Sequence, residues 1–215
     1  MNITEENYLR IIYELGNENK KEYIKTSVIA LKMNYTVQSV LEMIKKLADN
    51  FLVEYIPYKG VKLSEEGREK AMRLVRVHHI WEVFLSEYLE LDWSQVHTEA
   101  EKLQHVSSEV VTDKLYNFLG KPKFCCHGSP IPNEKGEVES FSNNSILQLK
   151  EGDKFILKRV LDNIKLLNYL KDNGIKLYDE FEIVKLDSFN EIVVLKNKSG
   201  KEIYMNFFNG KMLFY

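Results

Sequence analysis

Apolar residues at Tyr8, Ile11, Ile12 and Leu15 recur at three- and four-residue spacing, which predicts an opening helix over residues 4–15 with Thr4 as its N-cap. The polar stretch 16–22 reads as a loop. A short helix over 26–32, the turn Met33-Asn34-Tyr35 and a second helix over 36–49 follow; Val37, Val40, Leu41, Ile44 and Leu47 form the second helix's apolar face. Two short helices joined by a tight turn make a helix-turn-helix. Residues 52–56 and 60–63 then read as strands around the tip Pro57-Tyr58-Lys59-Gly60. A helix-turn-helix followed directly by a β-hairpin is a winged helix. It serves either as a DNA-binding domain or as a small α/β packing unit that binds nothing.

Ser64 is placed to cap a long helix through Arg68, Met72, Val75, His79 and Val83, ending near Leu89. Leu91-Asp92-Trp93 reads as a turn. A helix from 94 to 103 or beyond carries His97 and His105. A further helix over 108–119 is ended by Gly120, with Pro122 beyond. Residues 121–145 hold three of the four prolines and read as loop and linker. After residue 147 the texture becomes short strands, at 155–157, 181–184, 191–195, 203–205 and 212–214, with one helix over 164–172 stopped at Gly174. The expected fold is mainly α with a β C-terminus. It divides into a winged helix-turn-helix (1–73), a helical middle (74–145) and a small SH3-like (FeoA-like) β-barrel (146–215).

An apolar fraction of 44% suits a folded globular chain. No apolar run approaches the roughly 20 residues that span a bilayer, and MNITEENYLR lacks the features of a signal peptide, so a cytoplasmic protein is expected. The adjacent Cys125 and Cys126 suit a reducing compartment better than a disulfide framework. With a net charge of −2, nucleic-acid binding has to rest on a local basic surface.

The chemistry is concentrated between residues 78 and 105, which hold four of the five histidines. His78 and Glu82, His97 and Glu101, and Glu101 and His105 each stand four residues apart and so share a helix face. His97 and His105 lie about 12 Å apart along their axis, too far to share one small cation, so these donors serve two sites. His79 falls off the stripe and reads as an ordinary polar residue.

Three stretches together resemble one known family. They are 7–15 (NYLRIIYEL), 78–85 (HHIWEVFL) continuing to 96–106 (VHTEAEKLQHV), and 127–132 (HGSPIP). In this order they resemble the metal-dependent transcriptional repressors of the diphtheria-toxin-repressor and manganese-transport-regulator family. The resemblance implies two metal sites in the helical middle. The ancillary site matches His78, Glu82 and His97, with Asp162 as a candidate oxygen ligand from the barrel. The primary site matches Asn7, Glu101, Gln104 and His105. Position 7 is usually Met or a carboxylate in the family and position 104 usually Glu, so here two neutral amides stand where charge is expected. Glu101 replaces the Cys of iron-responsive members. An oxygen and nitrogen donor set points to Mn(II) or Fe(II) as the cofactor. Cys125-Cys126-His127 looks like a soft-metal cluster, but the resemblance places it in a structural loop where its thiols are buried or incidental.

The expected function is a homodimeric, metal-activated repressor of metal-homeostasis genes that binds a palindromic double-stranded operator away from any membrane. Trp81, Phe84, Leu85, Leu115 and Phe118 are the candidate pairing residues. Thr36, Gln38, Ser39, Glu42, Lys45 and Lys46 are expected to face DNA from the second helix of the motif, and Tyr58, Lys59 and Lys62 from the hairpin. One alternative is a family member with a degenerate primary site, acting independently of metal or through the ancillary site alone. A more remote alternative is a His/Glu metal-dependent hydrolase. It lacks an HExxH motif and leaves the winged helix without a role, so no enzyme is expected.

Overall fold

The computed structural model describes residues 2–19 and 22–215. The chain forms two compact units: one holds residues 1–78 and 132–137, the other 79–131 and 138–215.

In the first unit, α1 (Ile3–Asn19) packs with α2 (Thr26–Met33), α3 (Val37–Asp49) and the antiparallel hairpin of β1 (Val53–Ile56) and β2 (Gly60–Leu63). Leu9, Ile29, Val40, Ile44, Leu47 and Val61 are fully buried in a common core, with Tyr8 and Ile12 nearly so. Burial of this apolar set is what holds the short helices, since helices of 8 and 13 residues are marginal alone. α2 ends on Asn34, whose φ of 55° is the left-handed cap that turns the chain into α3. Thr36 caps α3 by accepting from the Ser39 N–H. The first turn of the long α4 (Glu65–Glu87) is held by Ser64, whose Oγ accepts from the Gly67 N–H at 3.0 Å.

Two expectations at the N-terminus are corrected. Asn2 rather than Thr4 caps α1: its Oδ1 accepts from the Glu5 N–H at 2.9 Å, and Glu5 Oε2 accepts from the Asn2 N–H at 3.0 Å. This reciprocal box serves two exposed amides at once. The stretch from residue 16 is not a loop at its start, because α1 continues through Gly16 to Asn19; Lys20 and Lys21 lie outside the described residues.

The second unit continues α4 and adds α5 (Trp93–Gln104), α6 (Glu109–Phe118) and the C-terminal sheets. Ser108 caps α6, and Gly120, at φ 74°, follows its end. β3 (Lys154–Ile156), β5 (Glu180–Asp187), β6 (Ile192–Asn197) and β7 (Glu202–Asn206) form an antiparallel sheet in the order β3-β5-β6-β7. β4 (Arg159–Val160) pairs with β8 (Leu213–Phe214). These strands close with α7 (Ile164–Asp172) over Leu157, Leu166, Leu167, Leu170, Ile183, Val193 and Leu195. β8 falls inside the strand expected over 212–214, while the two-residue β4 and the four-residue α8 (Phe207–Gly210) go beyond the sequence expectation; both are too short to carry a period. α5 stops at Gln104, so His105 is its C-cap rather than a helical residue. Leu85 is buried beside Val96 and Ala100, which removes it from the candidate pairing surface. No helix among the described residues is long and apolar enough to cross a membrane.

One ion pair joins α1 to α3. Glu5 Oε1 meets Lys46 Nζ at 2.9 Å, and the lysine's hydrogen bond, aided by Asn2, holds the Glu5 carboxyl below its usual 4.5. A carboxyl with a depressed folded-state pKa contributes stability above pH 4.5 and loses it as pH falls through the lower folded value. Thermal melts of wild type and Glu5→Gln should therefore differ most at neutral pH and converge below about pH 4. A gap that widens on acidification would contradict the ion pair.

Candidate metal centre and nucleic-acid interface

α4 runs unbroken past His78 and Glu82, and the four-residue spacing sets both side chains on one face. Each is 1% exposed. His97 comes from α5, and its Nδ1 is paired with Asp162 Oδ2. Asp162 lies in the short link between β4 and α7. That link is held against α5 in two ways: Trp93 packs on the core of the C-terminal sheets, and Lys171 of α7 bridges to Asp92 at 2.5 Å. His78, Glu82, His97 and Asp162 each offer a donor atom within 4.8 Å of the others. Two imidazoles and two carboxylates form a borderline-to-hard donor set whose formal charge of −2 matches one divalent cation.

A second cluster adjoins it. The loop after α6 folds back through Cys125 N–H to Ser129 O at 2.9 Å and Ile131 N–H to Lys123 O at 2.8 Å. Val160 N–H donates to His127 O at 3.0 Å, which ties the loop to β4. This close approach explains Gly128: its φ is 78°, and a Cβ there would lie 2.1 Å from Lys158 O. His127 Nδ1 thereby sits 3.1 Å from Glu82 Oε1, both groups essentially inaccessible to water. Burial works against the His127 cation, but the Glu82 charge beside it prevails and raises its pKa well above the usual value. Glu82, Cys126 and His127 form one further donor group, and His79, Glu82 and Cys125 another. Burial pushes both thiols up from their usual pKa. Cys125 is buried and Cys126 partly so, one of the two expected outcomes for these thiols, and the Cys-Cys-His run stands directly against the shared carboxylate. Its visible signal in the sequence was three donors in a row, two thiols and an imidazole, before a glycine. His79 is buried with Nδ1 at 3.1 Å from Pro130 O, consistent with an ordinary polar residue that anchors the loop.

Of the other expected ligands, Asn7 is half-buried on α1 in the first unit, while Glu101, Gln104 and His105 lie at the end of α5 in the second. Gln104 is buried, and its Nε2 stands 2.9 Å from His105 Nε2.

On α3, Val40, Ile44 and Leu47 turn the apolar face inward and leave Gln38, Ser39, Glu42, Lys45 and Lys46, the residues expected to face DNA, exposed. Thr36 is exposed too, but its hydroxyl is engaged with Ser39. Tyr58 stands fully exposed at the hairpin tip, with φ 65°. The lysines are less available than the sequence suggests. Lys46 is paired with Glu5, Lys62 bridges Glu22 at 2.8 Å and Glu54 at 3.1 Å, and Lys59 lies over the Tyr23 ring at 3.7 Å.

Comparison with known proteins places both halves of this arrangement. Residues 2–61 match the N-terminal DNA-binding domain of the iron-dependent repressors, and residues 64–133 match that family's metal-binding and dimerisation domain. The iron-dependent repressor IdeR of Mycobacterium leprae is 29% identical over 185 residues, 80% of either chain. Among solved structures, the manganese regulator SloR superposes with a TM-score of 0.85 at 32% identity, covering 98% of this chain and 96% of that one. A manganese-dependent transcriptional repressor solved with manganese superposes with a TM-score of 0.86 at 25% identity, covering 97% of each chain.

The Gly128 approach gives a direct test of the loop. Gly128→Ala should destabilise the chain by about 2–4 kcal/mol, combining a left-handed backbone penalty with overpacking against β4. Gly120→Ala, at φ 74° with open space around its Cβ, isolates the backbone part at about 1–2 kcal/mol. Equal losses in urea titrations of the two variants would show that the contact with Lys158 contributes nothing.

Proposed function

Because the chain belongs to the iron-dependent repressor family, whose members include IdeR and the diphtheria toxin repressors, we propose that it is a homodimeric, cytoplasmic repressor. Its operator-binding form is stabilised by Mn(II) or Fe(II), and its targets are metal-homeostasis genes. The observation that carries this reading is the convergence of His78, Glu82, His97 and Asp162 from α4, α5 and the β4–α7 link. These four residues would hold the cation, which when bound supplies positive charge between the Glu82 and Asp162 carboxylates.

The remaining roles fall to the chain itself. His78 and Glu82 are pre-aligned by one helix turn, so little ordering is needed to present them together. Asp162 ties the C-terminal sheets into the same donor set. We assign residues 1–73 to operator binding, 74–145 to dimerisation and metal binding, and 146–215 to the accessory sheet domain. The pairing face we propose is the aromatic strip Phe84, Tyr88 and Phe118, whose neighbouring rings lie 5.7 and 5.2 Å apart and whose last two members are more than half exposed. Trp81 is already used internally, its Nε1–H donating to Ser107 Oγ at 2.7 Å. Two-fold symmetry would set two α3 helices about 34 Å apart on a palindrome.

We propose Asn7, Glu101, Gln104 and His105 as the second, altered site. With a single carboxylate it offers a formal charge of −1 against −2 for the first set, which weakens divalent binding there. A specific observation supports the alternative of a regulator working through the first set alone: Gln104 and His105 already face each other at 2.9 Å.

The test is fluorescence anisotropy on operator duplexes recovered from a random library, with Mn²⁺ or with chelator. Chelation should weaken binding at least tenfold, and His78→Ala should abolish the metal response. Unchanged affinity in chelator would overturn metal activation. Loss in His78→Ala with full retention in His105→Ala would assign the switch to the first set alone. In metal titrations, Glu82→Gln and Asp162→Asn should each weaken Mn²⁺ binding about tenfold or more, whereas Cys126→Ala should weaken Cd²⁺ and leave Mn²⁺ nearly unchanged, as ligand softness requires. Loss of Mn²⁺ binding in Cys126→Ala would contradict the proposed ligand set.

A further inference from the structure

The exposed face of α3 carries a carboxylate where a polyanion is to be approached, and the structure shows how it is held. Taking 100° per residue, Gln38 and Glu42 lie about 150–170° round the helix from the centre of Val40, Ile44 and Leu47, on the side directed away from the core. Gln38 Nε2 donates to Glu42 Oε1 at 2.9 Å, one turn along the same face. That bond uses one of the amide's two N–H donors and leaves Gln38 Oε1 and Glu42 Oε2 as acceptors on the exposed face. Of the two lysines one turn on, Lys45 and Lys46, the latter is bound to Glu5 instead.

We propose that Gln38 and Glu42 act as one acceptor pair that reads cytosine in the major groove, with Glu42 accepting from the cytosine N4 amino group. This rests on the reading of the chain as a DNA-binding repressor and adds the base it selects. Cytosine is the base that offers an amino donor with no acceptor on the same major-groove edge. Adenine sets its N7 acceptor beside N6, and guanine shows only N7 and O6, so both place a lone pair against the carboxylate. Thymine offers O4 and a methyl group. A carboxylate is repelled by phosphate and by three of the four bases, so its contribution is selective rather than attractive. Gln38 in isolation would read adenine through both its donor and its acceptor. With one N–H held by Glu42 the amide plane is oriented by that bond, which competes with the bidentate pairing and changes what the glutamine can recognise.

The experiment selects duplexes from a random library with the Mn²⁺-loaded full-length wild type, Glu42→Gln, Glu42→Ala and Gln38→Ala. All three substitutions lie on an exposed face, and melting temperatures equal to wild type confirm intact folding. Wild type should enrich a cytosine at a fixed position in each half-site, with replacement by thymine lowering affinity about tenfold. Glu42→Gln should lose that cytosine preference and bind unselected duplex more tightly, because a negative charge is removed from the groove. Gln38→Ala should keep the cytosine preference. Recovery of the same bases by Glu42→Gln as by wild type overturns the proposal and leaves the repressor reading intact. Failure of wild type to enrich any sequence overturns both.

Discussion

A carboxylate taken out of water costs several kcal/mol unless opposite charge and hydrogen bonds replace its hydration, and Glu82 is 1% exposed in the middle of α4. The arrangement of the second unit follows from satisfying it. His127 reaches it from the loop after α6, and that loop can reach only because Gly128 lets the chain lie against Lys158 and β4. His78 precedes it by one turn, and His97 and Asp162 close the group from α5 and the β4–α7 link. Removing His127 leaves the buried charge short of compensation, whereas Asp162, itself a carboxylate, adds negative charge to the group. The loop, the helix pair and the C-terminal strands are therefore bound to one another by electrostatics as well as by apolar packing.

The winged helix handles charge differently. Three of its lysines are engaged within the unit: Lys46 by Glu5, Lys62 by Glu22 and Glu54, Lys59 by the face of Tyr23. Exposed pairs of this kind contribute little stability. They do reduce the positive field presented to a polyanion, which agrees with a net charge of −2 over the whole chain. In the repressor proposed above, affinity for DNA would come more from placing two winged helices on one duplex at once than from either domain's own attraction, so binding would follow the state of the dimer.

Much of the architecture was legible because it is written in local terms. The α3 face, the β1–β2 hairpin, the Ser64 and Ser108 caps and the limits of α7 all follow from spacing and capping residues. Misreadings arose where a tertiary partner decided. Gly16 looked like a helix stop, yet α1 runs on to Asn19. Thr4 looked like the cap, but Asn2 and Glu5 form a box that starts the helix one residue earlier. β4, which was not expected, is two residues long and exists only because it finds β8 across more than fifty residues of chain. The donors on α4 and α5 were visible as i, i+4 pairs. The approach of Cys126 and His127 to Glu82 was not, because a loop has no period from which its side chains' destination could be computed.

The two candidate donor sets also differ in how far apart their members lie along the chain, and this bears on what each can do when filled. Glu101, Gln104 and His105 fall within five residues, so an unfolded chain already holds them close together. His78, Glu82, His97 and Asp162 span 85 residues and come together only when α4, α5 and the β4–α7 link are all in place. A ligand stabilises a state in proportion to how much better it binds that state than its competitors. Binding at the dispersed set is therefore coupled to the folded arrangement of the second unit, while the three contiguous donors alone would discriminate little between folded and unfolded chain. For the contiguous set to act as a switch it needs a donor from elsewhere. The residue offered for that role is Asn7, a neutral amide, which like Gln104 brings no charge to a divalent cation.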